Sequence, residues 1–258
     1  GKTLRLGVVI VGRHPVVEKF VAQKKKIGHS IGVDVRLYPI REEQILNPSG
    51  GLSNNKLRER LNVVVREEKN EGVILQLPLP DGLNAQDALN AVIPEKDVDA
   101  LCARSVGNTE VGKSRILSPV AGAVKMLLEE YGIERWNKHI VILGAGGLVG
   151  RPIAAWLMGE MANIDQTIRE QGDKEEAERM RGLHSMTFTV IKGAGVSQNT
   201  ELLKLADIII SGIGTPNYIT ADMVKEGVVI IDAGTSESRG KLVGDVDFES
   251  VASKAAAV

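Results

Sequence analysis

Gly144, Gly146 and Gly150 stand in the turn GAGGLVG, after the apolar run HIVIL (139–143) and before Arg151-Pro152 and the helix-forming Ile153, Ala154 and Leu157. A pyrophosphate must approach backbone N–H groups at a helix start, and a Cβ would block it. A glycine pattern alone is weak. Strand, glycine turn and helix in succession make it a dinucleotide fingerprint, with Ala145 among the backbone contacts. The competing reading is a tight turn that binds nothing. The next strand, TFTVI, is followed by Lys192 with no Asp or Glu close by. An acidic residue there would grip a ribose 2′-hydroxyl, whereas a cation suits a 2′-phosphate, so NADP is expected ahead of NAD. SGIGTP (211–216) and DAGTS (232–236), the latter with Thr235, put small residues where a cofactor ring can lie against backbone.

Other chemistry is sparse. Cys102 is the single cysteine, which rules out an internal disulfide and fits a reducing compartment, the cytoplasm. His14, His29, His139 and His184 have no ligand spacing, so no metal is expected. The formal net charge of -1 gives no reason to expect nucleic acid or an anionic membrane as partner. No run approaches the ~20 apolar residues that span a bilayer. The leading GKTLRLGVVIVG is too short in its apolar part for a signal peptide, and Arg13-His14-Pro15 follows it.

The elements that must position these groups alternate. Leu6 to Val11 is a continuous apolar run, as in a buried parallel strand. A helix is expected over about 16–32, a strand over 33–38, a loop over 41–54, a helix capped by Ser53 and running to about Asn70, a strand over 72–77 and a short helix over 84–92. Strand-helix alternation argues for an α/β fold with a parallel sheet, whose ligands sit beyond the carboxyl ends of the strands. Gly12 and Gln76 fall there. Pro119 and Gly122 open a helix to about Tyr131, and strands are expected at 139–143, 187–191, 207–211 and 228–232, with helices at 200–205 and 220–225. Two domains follow, 1–118 and a Rossmann-like 119–258. The stretch 160–182, dense in both charge signs, reads as a solvated helical insertion or a mobile excursion. The closing SVASKAAAV offers no stable cap and is expected to fray.

VGRHP (11–15), LQLPLP (75–80), PEKDVDA (94–100), GAGGLVGRP (144–152) and GDVDF (244–248) together resemble the bifunctional methylenetetrahydrofolate dehydrogenase/cyclohydrolase family over nearly the whole chain. LQLPLP and KDVD carry most of the likeness. The resemblance implies a folate lobe and a Rossmann domain flanking a cleft, NADP or sometimes NAD as cofactor, a tetrahydrofolate substrate and a homodimer. It implies oxidation of methylene-tetrahydrofolate and hydrolysis of the methenyl product. The family's Tyr-x-x-x-Lys pair falls on Phe20 and Lys24, its Gln on Gln76, its pterin-binding Asp on Asp99, and Pro78 joins the substrate contacts.

Each role implied by the resemblance is chemically sensible. Lys24 would serve as the base that helps water attack the methenyl carbon. Gln76 would hold Lys24 or that water, and Asp99 would accept a pair of pterin N–H bonds. By itself Lys24 is one of three consecutive lysines, Gln76 a strand-end amide and Asp99 a turn cap; together they read as one site. The departures are Phe20 for Tyr, Val17 for Ser, Ala100 for the Gly after DVD, Leu117-Ser118-Pro119 for Pro-Cys-Thr-Pro, and the absence of a Pro- and Gly-rich segment after GDVDF. They keep two alternatives in view, a dehydrogenase without cyclohydrolase activity and a non-catalytic folate- or nucleotide-binding relative.

Overall fold

The first apolar run forms β1 (Leu4–Val11), followed by α1 (Pro15–Ser30), β2 (Val33–Ile40), α2 (Asn54–Arg66) and β3 (Gly72–Leu75). The computed structural model describes residues 3–13, 15–170, 173–238 and 241–258. His14 therefore lies outside the described residues. Both β2 and β3 pair parallel to β1, in the order β2-β1-β3. Successive strand side chains point to opposite faces. Val9, Val11, Val73 and Leu75 pack with Leu57, Leu61 and Val64 of α2. Val8 and Ile74 pack with Val17 and Val21 of α1. Helices thus cover both faces, which explains why these strands are apolar without alternation.

Ser53 caps α2 as expected, accepting from the Lys56 N–H at 3.3 Å. The helix stops at Arg66 rather than Asn70 because a cation from far along the chain ends it. Lys96 Nζ donates to the last carbonyls, Val65 O at 2.7 Å and Glu67 O at 2.9 Å. Asn84 caps the short α3 (Ala85–Leu89) through Gln86 and Asp87 N–H. A further helix, α4 (Ala103–Glu110), was not anticipated. Its entry is held by Asn90 Oδ1, which accepts from Ala103 N at 2.9 Å, and by Asp97 Oδ2, which accepts from Cys102 N at 2.8 Å. Those caps are distant in sequence, so no local signature announces the helix.

The chain divides into two compact units, Gly1–Val106 and Gly107–Val258, with the division inside α4. The second unit opens with α5 (Pro119–Glu130), whose Ser118 cap accepts from Ala121 N. Then come β4 (His139–Leu143), α6 (Gly150–Glu170), α7 (Lys174–Leu183), β5 (Thr187–Ile191), α8 (Thr200–Leu205), β6 (Ile208–Ser211) and β7 (Val229–Asp232). The four strands are parallel in the order β5-β4-β6-β7. Ile140, Ile142, Ile208 and Ile210 meet Val124, Ile153, Trp156 and Leu157 on one face. Val141, Leu143, Ile209 and Ile230 meet Leu203, Ile219 and Val224 on the other. With aromatics at 3% of the chain, both cores are built mainly from aliphatic side chains, with Trp156 the aromatic among the buried residues of the second.

The charged stretch 160–182 is helical: it completes α6 and supplies α7, with Gln171 and Gly172 outside the described residues. Asp173 Oδ1 caps α7 from Glu175 N and Glu176 N, and buried Ile168 and Ala177 anchor the pair. Three expectations need correction. The helix read over 220–225 is only a short 3-10 turn, Ala221–Met223, because Thr220 Oγ1 donates to Asp222 Oδ1 at 2.5 Å instead of capping backbone. A small antiparallel ribbon, β8 (Ser236–Ser238) with β9 (Lys241–Val243), was missed. The tail does not fray: α9 (Phe248–Val251) is capped by Asp247, and beyond it Ala256 N donates to Val228 O at 2.8 Å and Ile230 N to Ala257 O at 2.9 Å.

Candidate functional site

In the first unit, the segment carrying Asp99 is fastened to the edge of β3. Val73 N donates to Lys96 O at 2.7 Å, and Val73 bridges Asp97 in parallel. Gly72 leaves room for this approach; a Cβ there would stand 2.5 Å from Val98 Cγ1. Asp97 is buried and its carboxylate holds the far end of the loop through Cys102 N. Between these anchors stand Asp99 and Ala100, the latter at φ +52°, in the left-handed region that a glycine would adopt without strain.

Asp99 is half-buried, and its carboxyl is pushed up from an ordinary 3.8 to about 6. Burial is the main cause, the positive charge of Lys24 opposes it, and the negative charge of Asp97 adds to it. Lys24 is half-buried one turn beyond Val21, which faces the sheet. The fold therefore brings the predicted cation and carboxylate of Lys24 and Asp99 within electrostatic reach, without a direct ion pair. Phe20, one helical turn before Lys24, is 47% exposed.

Gln76 follows β3 and its N–H still pairs with Val9 O at 2.9 Å. Its Nε2 donates to Leu77 O at 2.9 Å, which fixes the amide's orientation. Its Oε1 is buried with no partner among the described residues. An orphaned buried acceptor is uncommon and points to an absent donor. Gln76 makes no hydrogen bond to Lys24 or Asp99. Pro78, on a cis Leu77–Pro78 bond, is exposed.

In the second unit, the carboxyl ends of the parallel strands converge. The chain passes from β4 to β5 on one side and then to β6 on the other, so the switch point lies between β4 and β6. Gly144 sits there at φ +97°, and its N–H donates to Ile191 O at 2.8 Å. A Cβ on Gly144 would lie 2.5 Å from Gly212 O, and one on Gly150 would overlap the Gly144 carbonyl oxygen. Gly146 differs: it is exposed, and a Cβ there would meet nothing within 4 Å. Two glycines are thus demanded by packing, whereas Gly146 keeps open a space that a bound phosphate can use. Ala145 is half-buried beside it. Lys192 and Thr235 are exposed after β5 and β7, and Lys192 has no ion pair among the described residues. These residues fit a dinucleotide.

Sequence reasoning missed two buried carboxylates. Asp97 has no role among the residues that the KDVD likeness singles out. Asp245, within GDVDF, is fully buried and accepts three hydrogen bonds around the loop after β6. A clue was available in Asp245: a lone acid between a glycine and a valine has no obvious reason to sit in an apolar stretch. Among the described residues, no group of three or more His, Cys, Asp or Glu side chains is gathered as a metal site. No helix among them is long and apolar enough to cross a membrane.

The family model for the tetrahydrofolate dehydrogenase/cyclohydrolase catalytic domain matches residues 1–99, and that for its NAD(P)-binding domain matches residues 118–258. The bifunctional protein FolD of Francisella tularensis subsp. holarctica (strain FTNF002-00 / FTA) is 31% identical over 257 residues, 99% of this chain and 79% of the relative. The solved structure of bifunctional FolD from Campylobacter jejuni superposes with a TM-score of 0.80 at 29% identity, covering 99% of this chain and 79% of the other. The Trypanosoma brucei enzyme, crystallised with NADP and an inhibitor, gives a TM-score of 0.79 at 25% identity over 98% and 78%. With both domain models matched in order on the α/β framework described above, the chain belongs to the tetrahydrofolate dehydrogenase/cyclohydrolase family.

Proposed function

We propose that the chain oxidises methylene-tetrahydrofolate to methenyl-tetrahydrofolate with NADP and hydrolyses that product to 10-formyl-tetrahydrofolate. The observation that carries the reading is the electrostatic reach between Lys24 and the half-buried carboxylate of Asp99, together with the unpartnered Gln76 oxygen at the end of β3. Membership of the family supports it. The folate lobe is assigned to 1–118 and the nucleotide domain to 119–258.

Asp99 accepts a pair of pterin N–H bonds, which a carboxylate matches with both oxygens. The desolvation that raises its pKa is offset when those donors arrive. The Gly144–Gly150 turn would hold NADP, which would supply the hydride acceptor for the oxidation. Lys192 would offer its charge to the 2′-phosphate, and Thr235 and the backbone of Ala145 and Gly146 would complete the seat. Water then adds to the cationic methenyl carbon with Lys24 assisting the attack, and the proton that the water releases passes to solvent. Gln76 Oε1 accepts a hydrogen bond from that water or from Lys24. Phe20 and Pro78 line the substrate. The presence of NADP in the trypanosomal relative supports the cofactor choice. A homodimer in the cytoplasm completes the reading, in keeping with the symmetric habit of such enzymes and with a single buried thiol.

One observation favours a second reading, a dehydrogenase with weak hydrolysis. Phe20 lacks the hydroxyl that would hydrogen-bond near Lys24, a contact typically worth about 0.5–1.5 kcal/mol. Spectrophotometric assay of hydride transfer and of methenyl hydrolysis, with NADP and with NAD, separates the two. Lys24→Ala is expected to abolish hydrolysis. Undiminished hydrolysis in that variant would remove Lys24 from the mechanism.

A further inference from the structure

The loop that follows β6 is shaped by one side chain. Asp245 Oδ2 accepts from the Ser211 hydroxyl at 2.7 Å and from Ile213 N at 2.8 Å, and Oδ1 accepts from Thr215 N at 2.8 Å. The carboxylate has no exposure and no cation pairs with it among the described residues. Charge buried in this way is costly unless donors surround it. Here the donors are the last residue of β6 and alternate residues of the loop beyond. An amide could not replace the carboxylate at no loss, because its NH₂ would confront a backbone N–H.

That loop borders the glycine turn. Gly212 O is the atom that excludes a Cβ from Gly144, and Ile213 Cγ2 lies 3.8 Å from the space a Cβ on Gly193 would fill. Residues 212–213 therefore form the wall between the turns that end β4 and β5. A second carboxylate locks the support. Asp232 accepts from Gly234 N at 2.9 Å and from Val246 N at 3.0 Å. Any side chain at Gly234 would overlap the Asp245 carboxylate, and any at Gly244 would overlap that of Asp232. The turn after β7, the 244–246 segment and the loop after β6 are thus interlocked through two acids.

We propose that Asp245 is a positioning residue for hydride transfer, setting the 212–215 backbone as the surface that seats the dinucleotide, with no part in methenyl hydrolysis. The proposal rests on the nucleotide site assigned above. Hydrolysis of methenyl-tetrahydrofolate needs no nucleotide, so it serves as an internal control that simple loss of fold would not spare.

The test compares wild type, Asp245→Asn and Ser211→Ala. Titration of NADP is followed by calorimetry, dehydrogenase KM and kcat are measured, and hydrolysis is assayed without nucleotide. Asp245→Asn is expected to raise the KM for NADP at least tenfold while hydrolysis stays within twofold of wild type. Ser211→Ala, which removes one of the three donors, is expected to raise it about threefold. Unchanged dehydrogenase constants in Asp245→Asn, or both activities falling by the same factor, would overturn the proposal. Should the Asp245→Asn protein not accumulate, an unchanged KM in Ser211→Ala overturns it instead. A wild type that binds no NADP removes the nucleotide site itself. A wild type that binds it no more tightly than Asp245→Asn does removes only the role of Asp245.

Discussion

Asp99 is a carboxyl whose proton affinity lies inside the working range of an enzyme. Its pKa of about 6 in the folded chain lies above the ordinary 3.8. The stability linked to it is therefore full below about 3.8 and is lost as pH rises through 6. Asp99→Asn is expected to stabilise the fold at pH 7–8 by on the order of 2 kcal/mol and to have little effect at pH 4, as urea unfolding at both pH values would show. The functional sign is opposite. Only the ionised form accepts both pterin donors, so the KM for methylene-tetrahydrofolate should climb as pH falls below about 6. In Asp99→Asn it should be high and flat with pH. A KM in the wild type that ignores pH between 5 and 8 would separate Asp99 from folate binding. Its neighbour Ala100 holds a left-handed backbone at φ +52°. Ala100→Gly relieves a strain of about 1–2 kcal/mol but adds freedom to the unfolded chain, so a net gain of up to about 1 kcal/mol is expected, measured as a rise in Tm.

At the scale of elements, the glycine turn makes a prediction that separates packing from binding. Gly150→Ala drives a methyl into the Gly144 carbonyl and should destabilise the second unit by more than about 2 kcal/mol. Gly146→Ala meets open space, so its Tm should stay near wild type while its affinity for NADP falls tenfold or more by calorimetry. Equal affinity in Gly146→Ala and wild type would mean that the turn is only structural. The elements that were legible in the sequence are those whose signals are local. The strands His139–Leu143 and Thr187–Ile191 are apolar runs ended by turns, Ser53 caps the helix that follows it, and Pro119 opens the next long one. The α4 helix was hidden because Asn90 and Asp97 hold its entry from a distance. The end of α2 was misjudged because Lys96 terminates it from beyond β3. The site shows the same division. Gln76 and Asp99 are proposed from LQLPLP and KDVD and Lys24 from its spacing to Phe20, whereas Asp245 gives no local sign, since nothing near it in the chain reveals three donors converging from 30 or more residues away.

At the scale of the molecule, each unit has its own aliphatic core and a parallel sheet covered on both faces. A parallel sheet leaves two flanks of unpaired N–H and C=O groups, and such flanks invite other chains to add to them. In the second unit the β7 flank is occupied: Ala257 bridges Val229, and the N–H of Ile230 is taken by Ala257 O. The last few residues thus act as a guard against self-association. Cutting the chain after Ala255 would strip the guard without touching either core, and the truncated protein should form oligomers or precipitate at concentrations where the intact chain stays dispersed, as static light scattering would register.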